Sequence, residues 1–469
     1  MSRPLGRWYT LAKRLAPTMM RTYHIETFGC QMNEHDSEGI AGVLAGLGLF
    51  PSASAQDADV IVLNTCSVRE KPHRKVFARL ADYRALKAER PGRLIVVAGC
   101  MAQLIPEGIR EAAPHVDLLV GPRSYPELET ALRRKLEGDL QLATLLGRCE
   151  PDLQPLPYQR QDAVRAWVDI MYGCDNHCAY CVVPLARGPE VSRRSEAIEQ
   201  EVVDLATAGV VEVTLLGQNV NSYGRGLTPP MGFPDLLARL DGVAGLRRIR
   251  FTTSHPKDLS ARLIEAMARL STVCEHLHLP VQAGSDRVLE RMGRGHTAGE
   301  YLARLQRARD AVPGLAITTD VMVGFPGETR RDFDETLALF RAARFDQAFM
   351  FRYSDRPGTR ATAMADRVSE DEKQERFVEL AQLQNRIARE INDERVGEVF
   401  EVLVEGPDAK DPKKARGRTR QNKLMIFPAE GAPADQFVHV RAQEARLWGW
   451  LGERQSSQDA KLRGEAKDR

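Results

Sequence analysis

Short apolar runs alternate with longer amphipathic stretches through most of the chain, and the spacing of the two predicts parallel α/β structure. Thr22–Thr27, Asp59–Asn64 and Arg93–Ala98 are strand-length runs, and Ser37–Leu47 and Lys71–Glu89 between them carry a helical period. Strand, helix, strand at that repeat gives an open parallel sheet of βαβ units. The pattern resumes with strands at Ala166–Met171, Val211–Leu216, Arg247–Thr252, His276–Leu279, Ala316–Val323 and Gln347–Phe351. Helical stretches separate them, among them Ser195–Ala208, Ser260–Arg269, Thr297–Ala311 and Thr329–Ala342. Six such units make a partial (β/α)6 barrel, whose functional loops belong at the carboxyl ends of its strands. Glu370–Asn392 reads as a charged amphipathic helix that packs or bridges. Beyond it the period changes: Glu398–Glu405 alternates, and Leu424–Phe427, Phe437–Val440 and Ala445–Leu451 follow as short strands. That grouping predicts a small antiparallel β-barrel of the OB-like kind. The expected fold class is therefore α/β, with domains at 21–137, 163–395 and 396–458. The Pro-containing segment 138–162 is the expected linker, and 1–20 and 459–469 are a basic extension and a polar, disordered tail.

Composition narrows the function classes. The chain has 469 residues, 43% hydrophobic and 28% charged, and no apolar run long enough to span a bilayer, so no membrane partner is expected. A net charge of only +2 means that any nucleic-acid surface must be local. Eight Cys in a long chain without a clear secretory signal point to a reducing compartment and metal chemistry, and to a cytoplasmic protein. Arg3, Arg7, Lys13, Arg14 and Arg21 precede the first acid, Glu26. Met19 and Met20 just before the first strand favour an over-long gene model over a transit peptide; a transit peptide would place the protein in an organellar matrix.

The cysteines carry the chemistry. Cys174, Cys178 and Cys181 lie in one loop at spacings of four and three, after an apolar strand. Three thiolates in one loop converge on a soft metal centre and leave a coordination position open. His177 offers zinc as the alternative, but no fourth Cys or second His follows at finger spacing. Cys30, Cys66 and Cys100 each sit just past a strand, where open α/β sheets build their sites, so thiols far apart in sequence can meet in one crevice. Cys149 and Cys274 lack such a pattern and read as structural. The barrel's strand ends carry polar or Gly-bearing loops: Gly217–Asn221, Thr253–Pro256, Pro280–Ser285 and Gly324–Glu328. Arg187–Arg194 adds cations beside the Cys loop, for substrate phosphate or a cofactor carboxylate, or as a solvated face. Lys410–Lys423 carries seven Lys/Arg against one acid, Asp411, within a small β module that also holds aromatics, a pattern suited to RNA.

Cys174-x3-Cys178-x2-Cys181 resembles the signature of the radical S-adenosylmethionine (SAM) enzymes. Cys30-Gln-Met-Asn33, Asn64-Thr-Cys-Ser-Val-Arg69 and Gly99-Cys-Met-Ala-Gln103 resemble the Cys motifs of the methylthiotransferases, and Gly417–Lys423 their MiaB-type tRNA branch with its C-terminal TRAM domain. The resemblance implies two [4Fe-4S] clusters, one on Cys174, Cys178 and Cys181, and an auxiliary one on Cys30, Cys66 and Cys100 that holds the sulfur to be transferred. It implies SAM in two roles, as radical source and methyl donor, with contacts from Tyr180, Gln218, Ser254, His255 and Gln282; His255 could equally be structural. The reaction implied is addition of a methylthio group to C2 of N6-isopentenyladenosine at tRNA position 37, with RNA contacts from Lys413, Lys414, Arg416, Arg418, Arg420 and Lys423. An unactivated aromatic C–H calls for radical chemistry in any case, since acid–base catalysis alone cannot break it. An electron donor such as flavodoxin or ferredoxin and iron–sulfur or sulfide supply proteins are the implied partners. The alternatives are the same chemistry on threonylcarbamoyladenosine, action on a ribosomal-protein aspartate, and a non-catalytic iron–sulfur RNA-binding protein.

Overall fold

The computed structural model of the chain describes residues 21–67, 70–139, 141, 143–147, 156–160, 162–429 and 435–455. The basic extension 1–20, Cys149 and the tail 459–469 lie outside the described residues. The chain divides into two compact units, Met1–Gln161 and Asp162–Arg469.

The first unit is a six-stranded parallel sheet with helices on its faces. Its strands are β1 (Thr22–Phe28), β2 (Phe50–Pro51), β3 (Val60–Thr65), β4 (Leu94–Gly99), β5 (Leu118–Val120) and β6 (Ala143–Leu145). The order is β2-β1-β3-β4-β5-β6 and every pair is parallel. β3 and β4 are buried along their whole length, which is why their sequences read as continuous apolar runs. Helices α1 (Gln31–Gly46) and α5 (Leu128–Leu136) cover one face, and α2 (Glu70–Glu89), α3 (Cys100–Leu104) and α4 (Pro106–Ala112) belong to the other. The segment 138–162, expected as linker alone, contributes β6, paired to β5 through Leu118↔Ala143. It also sends Gln159 back to the first helix, its N–H donating to Glu38 O (3.0 Å).

The second unit begins with six parallel strands: β7 (Arg165–Asp169), β10 (Glu212–Leu216), β11 (Arg248–Thr252), β12 (His276–His278), β13 (Ala316–Val323) and β14 (Gln347–Arg352). A small antiparallel pair, β8 (Met171–Tyr172) and β9 (Val191–Ser192), brackets the Cys loop, which leads into helix α6 (Val183–Arg187). The sheets β11-β10-β7 and β12-β13-β14 are joined at Ile249, whose N–H donates to Thr272 O (2.7 Å) and whose C=O accepts from Cys274 N (3.0 Å). The result is the open (β/α)6 arrangement. Its outer layer holds α7 (Ser195–Thr207), α8 (Phe233–Asp241), α9 (Ala261–Arg269), α10 (Asp286–Met292), α11 (Ala298–Ala311) and α12 (Arg330–Ala343). Alternate strand residues such as Val168, Val213, Ile249 and Leu277 face these helices in one continuous core. Thr297 with Glu300 and Thr329 with Asp332 form capping boxes that fix where α11 and α12 start.

A closed barrel follows, in order β15-β16-β17-β19-β18. Its strands are β15 (Val399–Pro407), β16 (Lys414–Thr419), β17 (Leu424–Pro428), β18 (Phe437–Arg446) and β19 (Gly449–Arg454). Phe400 stacks on Trp450 (ring centroids 4.6 Å apart) at its centre. The long helix α13 (Glu370–Asp393) is the bridging element expected of it: Asn392 near its end donates to Arg446 O (2.7 Å) and accepts from Trp450 Nε1 through its carbonyl (2.8 Å).

Candidate functional site

The register of the first sheet brings Cys30, Cys66 and Cys100 to one edge. Phe28, Thr65 and Gly99 are paired neighbours across β1, β3 and β4, so the three Cys follow adjacent strand ends. Adjacent strands are about 4.8 Å apart, which puts the three residues within one cluster-sized space. The sheet order reverses between β1 and β3, so Cys30 and Cys66 flank the topological switch point at which such sheets bind ligands. Cys30 is the N-cap of the 16-residue α1 and Cys100 opens α3, both positions where the positive helix end favours a thiolate. Behind them Asn33 Nδ2 donates to Asn64 Oδ1 and Thr65 O (both 3.2 Å), and Asn64 Nδ2 returns to Asn33 O (2.8 Å). Gly99 has φ +94°, and a Cβ there would lie 2.3 Å from Thr65 O; the Gly before Cys100 is required by that close approach.

In the second unit the Cys loop is built to accept hydrogen bonds at sulfur. Asn176 N and Nδ2 both donate to Cys174 Sγ (3.4 Å), Val183 N to Cys181 Sγ (3.4 Å) and Arg294 Nη1 to Cys178 Sγ (3.5 Å). The loop is clamped at Ala179, whose N–H donates to Met292 O and whose C=O accepts from Ala361 N (both 2.8 Å). Burial, with Cys178 and Cys174 alongside, pushes the Cys181 thiol up to about 12; burial raises Cys174 as well. Buried thiols such as Cys174 and Cys181 become thiolates together only when a cation shares the site. Among the described residues no three His, Cys, Asp or Glu side chains are grouped as a single-ion site requires.

The strand-end residues surround the loop with polar atoms. His255 is buried, its ring accepts Lys257 N–H at Nδ1 (3.2 Å), and its backbone N–H donates to Asn219 Oδ1 (3.1 Å). Burial pushes its pKa down to about 2, so the ring is neutral with its proton on Nε2. The ring of His296, centred 6.0 Å away, bonds Arg294 O through Nδ1, which leaves Nε2 as an acceptor. Ser254 Oγ, His296 Nε2 and Arg294 Nε are all buried without a partner. Buried polar atoms of this kind are rare and mark a place where a polar ligand belongs. Tyr180 Oη lies 3.4 Å from Arg294 Nη1, and Gln282, at φ +74°, pairs with β13 through Asp320 O (2.9 Å). Gln218 is half-buried at the end of β10.

Below these loops the inner wall of the half-barrel is polar. Thr318 Oγ1 bonds His278 Nδ1 (2.9 Å) and His276 Nε2 (3.3 Å), and His278 Nε2 is 3.6 Å from Asp320 Oδ1. Phe349, 40% exposed although it lies in a strand, meets His278 edge to face. The expected cations divide differently. Arg193 is buried, donating to Asp169 O and paired with Glu201 (2.9 Å), and Arg187 is buried too, so neither serves as a solvated face or as an open phosphate contact.

Three family models match in succession: an uncharacterized protein family, UPF0004, over residues 22–121, the radical SAM superfamily over 168–340, and the TRAM domain over 393–452. The tRNA-2-methylthio-N(6)-dimethylallyladenosine synthase of Carboxydothermus hydrogenoformans is 46% identical over 91% of this chain and 98% of its own length. The synthase of the same name from Moorella thermoacetica is 47% identical over 92% and 98%. The chain belongs to this methylthiotransferase family of radical SAM enzymes. Among solved structures, the radical SAM methyltransferase TsrM from Kitasatospora setae superposes with a TM-score of 0.54 at 13% identity, over 83% of this chain and 79% of that one. OxsB, a cobalamin-dependent radical SAM enzyme, gives 0.51 at 12% identity over 78% and 61%. These two share the fold.

Radical SAM enzymes use SAM and a [4Fe-4S] cluster, and the N–H···S pattern on Cys174, Cys178 and Cys181 fits thiolate ligands of such a cluster. The methylthiotransferase reading needs one correction among the expected RNA contacts. Lys423 is buried, its Nζ 2.7 Å from Asp346 Oδ1 and 2.6 Å from Asn392 Oδ1. Arg420 is engaged by Glu275 (2.8 Å) and Val273 O (2.7 Å). Both hold the small barrel to the half-barrel, as Arg248 and Arg250 do by donating to the Arg418, Arg420 and Thr419 carbonyls. Lys413 and Arg416 are exposed and Lys414 and Arg418 half-exposed, the last three on the outward face of β16. Arg294, Asn219, His278, Asp320, Phe349 and the exposed Trp448 were not singled out by sequence reasoning. Only Asn219 lay in a quoted strand-end loop; Arg294 sits in Gly293-Arg294-Gly295, which reads as an ordinary turn.

Proposed function

We propose that this chain is a tRNA-2-methylthio-N6-dimethylallyladenosine synthase, replacing the C2 hydrogen of N6-isopentenyladenosine at position 37 with a methylthio group. The observation that carries the reading is the pair of thiol triads, one at the strand ends of a parallel sheet and one in a loop with N–H donors on every sulfur. Two [4Fe-4S] clusters are assigned to them, with Cys174, Cys178 and Cys181 holding the SAM-binding one and Cys30, Cys66 and Cys100 the auxiliary one. Bound, these groups supply a SAM-derived radical able to break the C2–H bond, and the sulfur that replaces the hydrogen. The chain's own residues orient and enclose: Tyr180, Gln218, Ser254, His255 and Gln282 face SAM, with neutral His255 offering Nε2–H as a donor. Phe349 supplies a ring face for the flipped base and Asp320 an acceptor for its N6–H on the inner wall. Lys413, Lys414, Arg416 and Arg418 contact tRNA phosphates, and exposed Trp448 adds a stacking surface. A flavodoxin or ferredoxin delivers electrons, and sulfide supply proteins restore the auxiliary cluster, in the cytoplasm.

Nucleoside mass spectrometry of bulk tRNA from cells lacking the gene tests this. The expected result is loss of the 2-methylthio nucleoside with accumulation of N6-isopentenyladenosine. Unchanged tRNA rejects the proposal and directs attention to the ribosomal-protein aspartate.

A further inference from the structure

Arg294 is the least expected charge in the second unit. It is 4% exposed, and its hydrogen bonds go to a carbonyl, a sulfur and a phenol oxygen, with no carboxylate among them. Its Nη2 donates to Pro280 O (2.6 Å), its Nη1 to Cys178 Sγ (3.5 Å) and Tyr180 Oη (3.4 Å), and its Nε is buried with no partner. A permanently charged guanidinium at that depth is strongly disfavoured unless a counter-charge shares its pocket. The neighbours that can become anionic are the loop sulfurs and the Tyr180 phenol, and Cys178 is the sulfur it touches. The donors to Cys174 and Cys181 are neutral amides, so the three sulfurs are not equivalent: one is faced by a full positive charge. The turn that delivers it is fixed on the side of α10. Gly293 adopts φ +71° after α10, and Met292 O holds the Cys loop at Ala179.

We infer that Arg294 is the charge-compensating residue of the loop cluster, a positioning residue that makes the cluster's reduced state easier to reach. The inference rests on the assignment of that cluster to Cys174, Cys178 and Cys181. Adding an electron adds negative charge beside the guanidinium, and a cation in a low-dielectric pocket stabilises the more negative state. The other anion that could answer Arg294 is the carboxylate of SAM, and the two are separated by working without SAM.

The experiment is an EPR-monitored redox titration of reconstituted full-length protein carrying Cys30→Ala, Cys66→Ala and Cys100→Ala, so that the loop cluster alone gives a signal. Arg294→Gln and Arg294→Lys are compared in that background, with iron content and SAM affinity measured alongside. Without SAM, Arg294→Gln is expected to make one-electron reduction at least tenfold less favourable, a shift of about 59 mV to more negative potential. Arg294→Lys is expected to recover most of the shift. Loss of iron in Arg294→Gln but not in Arg294→Lys also supports the inference, because charge is what differs. An unchanged potential, an effect confined to SAM affinity, or iron loss in both variants overturns it. Absence of iron while Arg294 is intact overturns the cluster assignment itself, and the inference with it.

Discussion

Single residues decide which charges serve function and which serve the fold. Lys423 belongs to the second class. Its ammonium lies between Asp346 and Asn392, both buried, and Asp346 also accepts the Ile317 N–H (2.8 Å) of the central strand β13. Asp346→Ala therefore leaves a buried cation and an amide without their acceptor, and is expected to destabilise by about 3–5 kcal/mol. Urea unfolding reads this directly; a loss under about 1 kcal/mol would mean that the ammonium finds water. This pairing could not be read from Lys410–Lys423, where Lys423 is one more basic residue in a basic run. Partners such as Asp346 and Glu275 lie 77 and 145 positions away in sequence, and only the docking of two barrels brings them in. The Cys, by contrast, were legible because their chemistry needs fixed local spacing in the loop and a fixed place at each strand end. Arg294 was not, since nothing local distinguishes a turn arginine from one folded onto a sulfur.

At the scale of elements, strand ends were the reliable signal and strand count was not. β1, β3 and β4 were legible as strand-length runs followed by Cys, whereas β2, β5 and β6 are two or three residues long and carry no period. The long ones position the site through their register, and Gly99 is the residue on which the β3–β4 end depends. A side chain at φ +94° with its Cβ 2.3 Å from Thr65 O must push the two strand ends apart. Gly99→Ala is expected to cost about 1–3 kcal/mol and to displace Cys100 from the edge it shares with Cys66. Iron analysis after reconstitution should show the first unit's iron lost and the loop's retained. Full iron with unchanged stability would mean that Cys100 holds no cluster, or that the strand ends are free to shift.

For the whole molecule, the division at Gln161 puts the two thiol triads on two units, each with its own core. The proposed reaction would account for a second triad, because breaking a C–H bond and delivering sulfur make different demands on a cluster. On that proposal Cys174, Cys178 and Cys181 would hold the cluster that binds SAM, and Cys30, Cys66 and Cys100 the one that supplies sulfur. The two demands separate experimentally. Cys30 is the most accessible of its triad and caps α1 without lying in a strand, so Cys30→Ala leaves the β1–β3–β4 register untouched. The expected outcome is a protein that still cleaves SAM to 5′-deoxyadenosine under reducing anaerobic conditions but transfers no sulfur to tRNA. Liquid chromatography with mass spectrometry follows both products in one reaction. If sulfur transfer survives, the strand-end thiols are structural cysteines and the auxiliary assignment is wrong. If SAM cleavage is lost as well, the two triads do not act as separable centres.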